Sequence, residues 1–251
     1  MSVLAVENLS KAFGGVQAVA AVSFAVAPGE RVALIGPNGA GKTTLFNCVN
    51  GQLRPDAGRI AISGRDVTGQ APHRIWSHGV GRTFQITATF ASMTVTENIQ
   101  VALGSANGAA TGLGRRLGAR YRAPAEALVE RVGLAARARD PAAKLPYGDL
   151  KRLELAVAMT NDPSLLLMDE PTAGMAADAR GGMMDLVDVM VAERGVAVLF
   201  TEHDMDVVFG HADRVIVLDR GRVIAEGTPD EIRADATVQA VYLGSFDEAA
   251  V

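Results

Sequence analysis

The run Gly36-Pro37-Asn38-Gly39-Ala40-Gly41-Lys42-Thr43-Thr44 constrains this chain more than any other stretch. Glycine, four residues, then Gly-Lys-Thr is the spacing with which a loop wraps a string of phosphates, because backbone N–H groups converge on the anion where no Cβ stands in the way. Lys42 adds a mobile positive charge and Thr43 a hydroxyl for Mg²⁺. A helix opening there turns its positive dipole end on the same anion. The flanks agree: Arg31-Val32-Ala33-Leu34-Ile35 reads as a short buried strand, and Leu45, Phe46 and Val49 as the apolar face of the helix that follows.

Composition sets the outer limits. A chain of 251 residues can bury a full core, as one domain with or without a subdomain. A net charge of −4 with 21% charged residues offers no electrostatic footprint for nucleic acid. The single cysteine, Cys48, excludes an internal disulfide and reads as core filler in the helix after the loop. Met1 to Lys11 lacks the basic start and apolar run of a secretory signal. No apolar stretch reaches the roughly 18 residues of a membrane span, Ala18 to Pro28 coming nearest, so a membrane role is expected only through a partner.

Along the chain, Val3 to Val6 and Val22, Phe24, Val26 alternate like half-buried strands, with Pro28-Gly29 as a turn. Phe13-Gly14-Gly15 puts an aromatic on a flexed loop, suited equally to stacking on a purine or to packing. Pro55 to Gly58 reads as a turn and Arg59 to Ser63 as a strand, after which the pattern loosens from Asp66 to Gln85. His73 and His78 lack partners at metal-ligand spacing and read as surface or cap residues. Thr94-Val95-Thr96-Glu97 has capping-box spacing ahead of a helix through Ile99 and Leu103. The glycine-rich stretch Ala106 to Gly118, carrying Arg115 and Arg116, reads as a mobile surface connection. A helix is expected near Ala125 to Val132, a turn at Asp140-Pro141, and a strong helical run with Leu150, Leu153 and Val157 on one face. Leu165 to Met168 and Val196 to Phe200 read as buried strands, and Met184 to Val191 as a helix between them. Asp219-Arg220-Gly221-Arg222 signals a hairpin, and two short helices close the chain.

Four apolar residues ending in Asp169-Glu170 are what a phosphate-binding loop needs at the tip of a second parallel strand. Asp169 would hold Mg²⁺ through water, and Glu170 would polarise the attacking water. Without the loop, an acidic pair facing solvent would be the commoner reading. Gln85 suits a Mg²⁺ ligand or a water-orienting group. His203, at the polar end of a strand, suits a γ-phosphate contact, because ligands of open α/β sheets bind beyond those ends.

In this order, Phe13, Gly36 to Thr44, Gln85, the turn at Gly148, Asp169-Glu170 and His203 resemble the ATP-binding subunit of an ABC transporter over nearly the whole chain. Local wording narrows the resemblance. Phe13-Gly14-Gly15, Arg82-Thr83-Phe84-Gln85, Thr94 to Asn98, Glu202 to Met205 and Val241-Tyr242-Leu243-Gly244 are similar to the branched-chain or hydrophobic amino-acid uptake branch. The resemblance implies an α/β P-loop ATPase core with an antiparallel β subdomain and a helical subdomain at about 88–162. It implies ATP and Mg²⁺ as ligands, with Phe13 stacking on adenine, Lys42 on phosphate, Thr43, Gln85 and Asp169 toward Mg²⁺, Glu170 as base and His203 as the γ-phosphate switch. It further implies a head-to-tail dimer in which Pro146, Tyr147, Gly148 and Asp149 of one subunit complete the other's site. The dimer would sit under a separate membrane permease, on the cytoplasmic face of the inner membrane, with a periplasmic or extracellular binding protein choosing the substrate. Urea, amides or small aromatic acids are alternatives to branched-chain amino acids.

Two departures from the family pattern stand out. The signature Leu-Ser-Gly-Gly-Gln is here Leu145-Pro146-Tyr147-Gly148-Asp149, so the serine hydroxyl is missing and a carboxylate is added, from which a weakened composite ATP site is expected. Thr172-Ala173-Gly174-Met175-Ala176 ends on alanine where aspartate is usual. A soluble ABC-type ATPase acting on ribosomes or DNA is the alternative class, disfavoured by the single ATPase unit and the lack of heptads and basic tracts. A P-loop GTPase is disfavoured by the lack of an Asn-Lys-x-Asp motif.

Overall fold

The computed structural model describes residues 2–83, 89–107 and 119–247. Its centre is a six-stranded sheet in the order β10-β9-β3-β8-β7-β6, formed by β3 (Arg31–Ile35), β6 (Val80–Arg82), β7 (Leu165–Asp169), β8 (Ala197–Thr201), β9 (Arg214–Asp219) and β10 (Arg222–Gly227). All neighbours run parallel except β9 and β10, which form the expected hairpin. The inner strands are continuously apolar because both faces are covered.

The alternation of side chains along β3 divides the protein's interior in two. Val32 and Leu34 enter a core shared with a four-stranded antiparallel sheet, β2-β1-β4-β5, made of β1 (Leu4–Phe13), β2 (Val16–Val26), β4 (Ala57–Ile62) and β5 (Arg65–Asp66). Helix α1 (Lys42–Val49) packs Leu45, Phe46 and Val49 into that core. Cys48 is buried with them, and burial pushes its thiol up to about 11, the behaviour of a packing residue. Ala33 and Ile35 face the other way, into a core with the helical elements.

Those elements are α3 (Val95–Ala106), α4 (Arg122–Arg131), two 3₁₀ turns at Ala135–Arg137 and Ala142–Lys144, and α5 (Tyr147–Ala158), joined by Met184 and Val187 of α6 (Ala177–Arg194). The Thr94/Glu97 capping box forms as its spacing predicts. Short α7 (Met205–His211), α8 (Pro229–Ala234) and α9 (Ala236–Asp247) complete the chain. No described helix is long and apolar enough to cross a membrane.

Two stretches differ from the sequence reading. The loosened region after Asp66 holds α2 (Pro72–Ser77) and β6, which extends the parallel sheet beside β7. With six and three residues, neither is long enough to show a period. The expected turn at Pro55–Gly58 is shorter, because β4 already begins at Ala57, opposite Ser10 and next to an irregularity in β1. Gln85 and most of the glycine-rich connection, residues 108–118, lie outside the described residues.

Candidate functional site

The glycine loop leaves the C-terminal end of β3 and is wedged between two other strands. Gly36 has φ +151°, and a Cβ there would stand 2.1 Å from the Leu218 carbonyl oxygen; at Gly41, φ +103°, it would stand 2.2 Å from the Ala18 carbonyl oxygen. Any other residue at either position would displace backbone. The Gly221 N–H donates to Ala40 O at 2.9 Å and fixes the loop against the β9–β10 hairpin. Helix α1 then starts with Gly41 as N-cap and no side-chain cap, leaving its first-turn amides to an outside acceptor. Asn38 and Gly39 are exposed, as is Thr43, while Ala40 is buried and Pro37 and Thr44 are half-buried. Lys42 is only 8% exposed, and its ammonium donates to Gly36 O at 2.5 Å and Pro37 O at 3.1 Å. Burial lowers its pKa, against the opposing pull of Glu170 and Asp169.

Those acids come from the neighbouring strands. The register of β7 and β8 pairs Asp169 with Thr201, whose hydroxyl donates to Asp169 Oδ1 at 2.7 Å. The Glu170 N–H reaches the carbonyl and the hydroxyl oxygen of the same Thr201, both at 3.1 Å. Glu170 has φ +48°, a left-handed conformation that a non-glycine residue adopts at a cost, tolerated where surroundings over-determine it. Its Oε1 is 2.8 Å from His203 Nε2.

Beneath the pair lies a carboxylate not singled out from the sequence. Glu202 is buried; its Oε1 accepts from the Thr172 N–H (2.8 Å) and hydroxyl (2.6 Å), and its Oε2 from the His203 N–H (3.1 Å). One side chain therefore ties the loop after Glu170 to the backbone of His203. A second clamp acts farther along: Arg180 donates to Met175 O at 3.1 Å and to Asp204, the residue that caps α7. In the sequence Glu202 is signalled by its place beside His203 at the polar end of a buried strand and in the run Glu202 to Met205, and Thr172 by the run Thr172 to Ala176, whereas Arg180 carries no signal of its own.

The turn at Gly148 opens α5, with Pro146 as a cap that offers no side-chain bond. Tyr147 is exposed and its ring lies along Gly174, where a Cβ would meet Cε1 at 3.3 Å; Met175 Cε approaches the Cβ position of Gly148 at 3.5 Å. This turn is thus packed on its own chain's Thr172–Met175 loop, which Glu202 and Arg180 hold. Asp149 is paired with Arg137 at 2.7 Å. Phe13 ends β1 as an exposed residue, 47% accessible, with the Lys11 ammonium 5.5 Å from its ring centre.

The profile of the ABC transporter family matches residues 19–173. The chain belongs to that family. A second profile, branched-chain amino acid ATP-binding cassette transporter, matches residues 222–248. The chain is 41% identical over 249 residues to the high-affinity branched-chain amino acid transport ATP-binding protein LivG of Salmonella typhimurium, covering 96% of this chain and 97% of LivG. It is 38% identical over 251 residues to BraF of Pseudomonas aeruginosa, a protein of the same description, covering 96% and 98%. A solved ATP-binding cassette of an ABC transporter in its ADP conformation superposes with a TM-score of 0.83 at 30% identity, covering 97% of this chain and 99% of that one.

This ABC transporter protein is accordingly a nucleotide-binding ATPase whose activity is coupled to transport. The residues that could hold Mg²⁺ offer oxygen donors, as a small hard cation requires: the Thr43 hydroxyl at the head of α1 and the carboxylate of Asp169, one oxygen of which is already oriented by Thr201.

Proposed function

We propose that this chain is the ATP-hydrolysing subunit of an importer for branched-chain or other hydrophobic amino acids, working as a dimer beneath a separate permease. The observation that carries the reading is the Thr201-centred arrangement, in which the Thr201 hydroxyl donates to the Asp169 carboxylate while its hydroxyl and carbonyl oxygens accept from the Glu170 N–H. Mg²⁺, held by Thr43, Asp169 and Gln85, would neutralise phosphate charge when bound. The chain's own groups do the rest. The loop amides of Gly36 to Thr44 and Lys42 grip the triphosphate, Lys42 exchanging its two carbonyl contacts for phosphate oxygens. Phe13 offers its exposed face to the adenine. Glu170 takes a proton from a water that attacks the γ-phosphorus as the bridging bond to the β-phosphate breaks, and His203 holds Glu170 and senses the γ-phosphate.

A permease contact is supported by an apolar cavity of about 370 Å³ bordered by Pro72, Ile75, Trp76, Val80, Arg82 and Val157, three residues short of Gln85. It lies where β6 and α2 meet α5, a seam that a short helix from a membrane subunit would fill. Peripheral association with the cytoplasmic face of the inner membrane follows from that partner. The test is co-purification: capture of this chain should bring two permease subunits, and the complex, reconstituted with its external binding protein, should hydrolyse ATP faster when leucine is present. Stimulation by urea or an amide instead would reassign the substrate, and co-purification with ribosomes would reject the transport role.

A further inference from the structure

The unusual acid of the signature turn has an unusual partner. Asp149 lies in the first turn of α5, where a carboxylate favours the helix dipole and opposes the approach of any second anion. Its carboxylate is 2.7 Å from Arg137 Nε, and Asp140 is a looser second neighbour of the same guanidinium at 3.5 Å. Arg137 does not reach in from a free loop. It ends a 3₁₀ turn closed by its own N–H to Leu134 O at 2.9 Å. That turn is fastened to the head of α3 by three bonds: Val95 N–H to Asp140 O (3.1 Å), Thr96 N–H to Ala138 O (3.1 Å) and Thr96 hydroxyl to Ala138 O (2.9 Å).

We infer that Arg137 is a positioning residue for the composite ATP site: it neutralises Asp149 and draws its carboxylate aside, so that Gly148 and the uncapped amides of α5 remain available to the partner subunit's γ-phosphate. The inference rests on reading Pro146–Asp149 as the turn that completes the partner's site. It also revises the expectation of a weakened site, since the charge that would weaken it is matched by a cation from the same chain. A half-exposed ion pair of this kind adds little to stability. Its effect is to decide which charge a third group meets, and two like charges a few ångströms apart in a closing interface interact strongly enough to govern binding.

The experiment uses the transporter complex purified through the full-length chain and measures ATPase kinetics for Arg137→Gln, Arg137→Gln with Asp149→Asn, and Gly148→Asp. Arg137→Gln is expected to raise KM for ATP by roughly 3- to 30-fold, in line with an uncompensated charge at this range. Salt of about 0.5 M should relieve part of that rise by screening. Adding Asp149→Asn should recover at least half of the loss on a logarithmic scale, a coupling that damage to folding would not show. If Arg137→Gln does not assemble, Arg137→Lys takes its place, with KM expected within about threefold of the parent because the charge is kept. A loss beyond that in Arg137→Lys, unrecovered by Asp149→Asn, overturns the inference. So does an unchanged KM in Arg137→Gln, or a raised KM that Asp149→Asn does not recover, when Gly148→Asp abolishes turnover. Normal turnover in Gly148→Asp would instead reject the underlying assignment of the turn.

Discussion

Glu170 Oε1 and His203 Nε2 stand 2.8 Å apart at the ends of two neighbouring parallel strands, joined by a hydrogen bond from one tautomer of the imidazole. Both groups lie just beyond the C-terminal ends of β7 and β8, on the edge of the sheet from which the glycine loop leaves β3, and the Glu170 backbone, at φ +48°, is held by Thr201. On the proposed role of Glu170 as base, a carboxylate fixed in this way needs no search for its orientation when a substrate arrives.

Replacing Glu170 by Gln keeps the shape and the hydrogen-bonding reach to His203 while removing the basic oxygen. Hydrolysis should fall by roughly 10²- to 10⁴-fold, the usual worth of a general base. ATP affinity should stay within about threefold, since the proposed grip on phosphate is assigned to Lys42 and the loop. Steady-state turnover and equilibrium binding of a fluorescent ATP analogue measure the two separately. Retained turnover would remove Glu170 from the role of base.

Glu202→Gln tests the buried clamp. The carboxylate accepts three bonds, and an amide in its place turns one acceptor into a donor facing Thr172 or His203 donors. An unsatisfied buried polar contact costs about 1–3 kcal/mol, which for a chain of this length lowers Tm by roughly 2–12 °C. Turnover should fall with it, because both His203 and the loop after Glu170 lose their tether. Differential scanning calorimetry together with an ATPase assay gives the pair of values, and a variant with unchanged Tm would show that the clamp is dispensable.

How much of this was legible beforehand follows from length and from locality. The strand, loop and helix around Lys42 were readable because each is signalled within its own few residues: an apolar run, a fixed glycine spacing, a helical face. The Thr94/Glu97 box was readable for the same reason. Elements β6 and α2 were not, since three and six residues leave no period, and what holds β6 in place is the sheet itself, with Gly81 lying so close to the end of α5 that a Cβ would be 2.5 Å from Ala158 O. Thr201, Glu202 and Arg180 were missed because their importance lies in partners about 24 to 32 positions away in the chain. The Arg137–Asp149 pair was hidden likewise, by a fold that returns the 3₁₀ turn to the head of α5.

The glycines of the loop should differ in tolerance. Gly36→Ala and Gly41→Ala each drive a Cβ to about 2.1–2.2 Å from a carbonyl oxygen of another strand, so the backbone must move and both should lower Tm and weaken ATP binding severely. Gly39 has φ +80° but open space around it, and Gly39→Ala should cost only the conformational strain, roughly 1–2 kcal/mol. Thermal melts of the three variants, with and without ATP, rank them. Equal losses at all three positions would mean that steric wedging does not shape the loop.

The last prediction concerns acid stability. Arg31 binds Asp213 through Nε (3.0 Å) and a terminal nitrogen (2.6 Å) and reaches Asp188 of α6 at 2.6 Å, so it fastens β3 to α6 and to the connection that enters β9. The Arg31 guanidinium holds the Asp213 carboxyl below its ordinary value, and the guanidinium is raised in turn. A group whose folded pKa is depressed contributes stability that is fully present above its unfolded value, near 4, and is lost as pH falls through the folded value. Arg31→Met removes the source of the depression. The Tm gap between parent and variant should therefore be widest from pH 5 to 7 and should narrow as pH drops below about 4, the parent descending toward the variant. Melts at half-unit steps from pH 7 to 3 give the two curves. Parallel curves down to pH 3 would mean that Arg31 stabilises the sheet through packing of its stem, with the Asp213 charge playing no part.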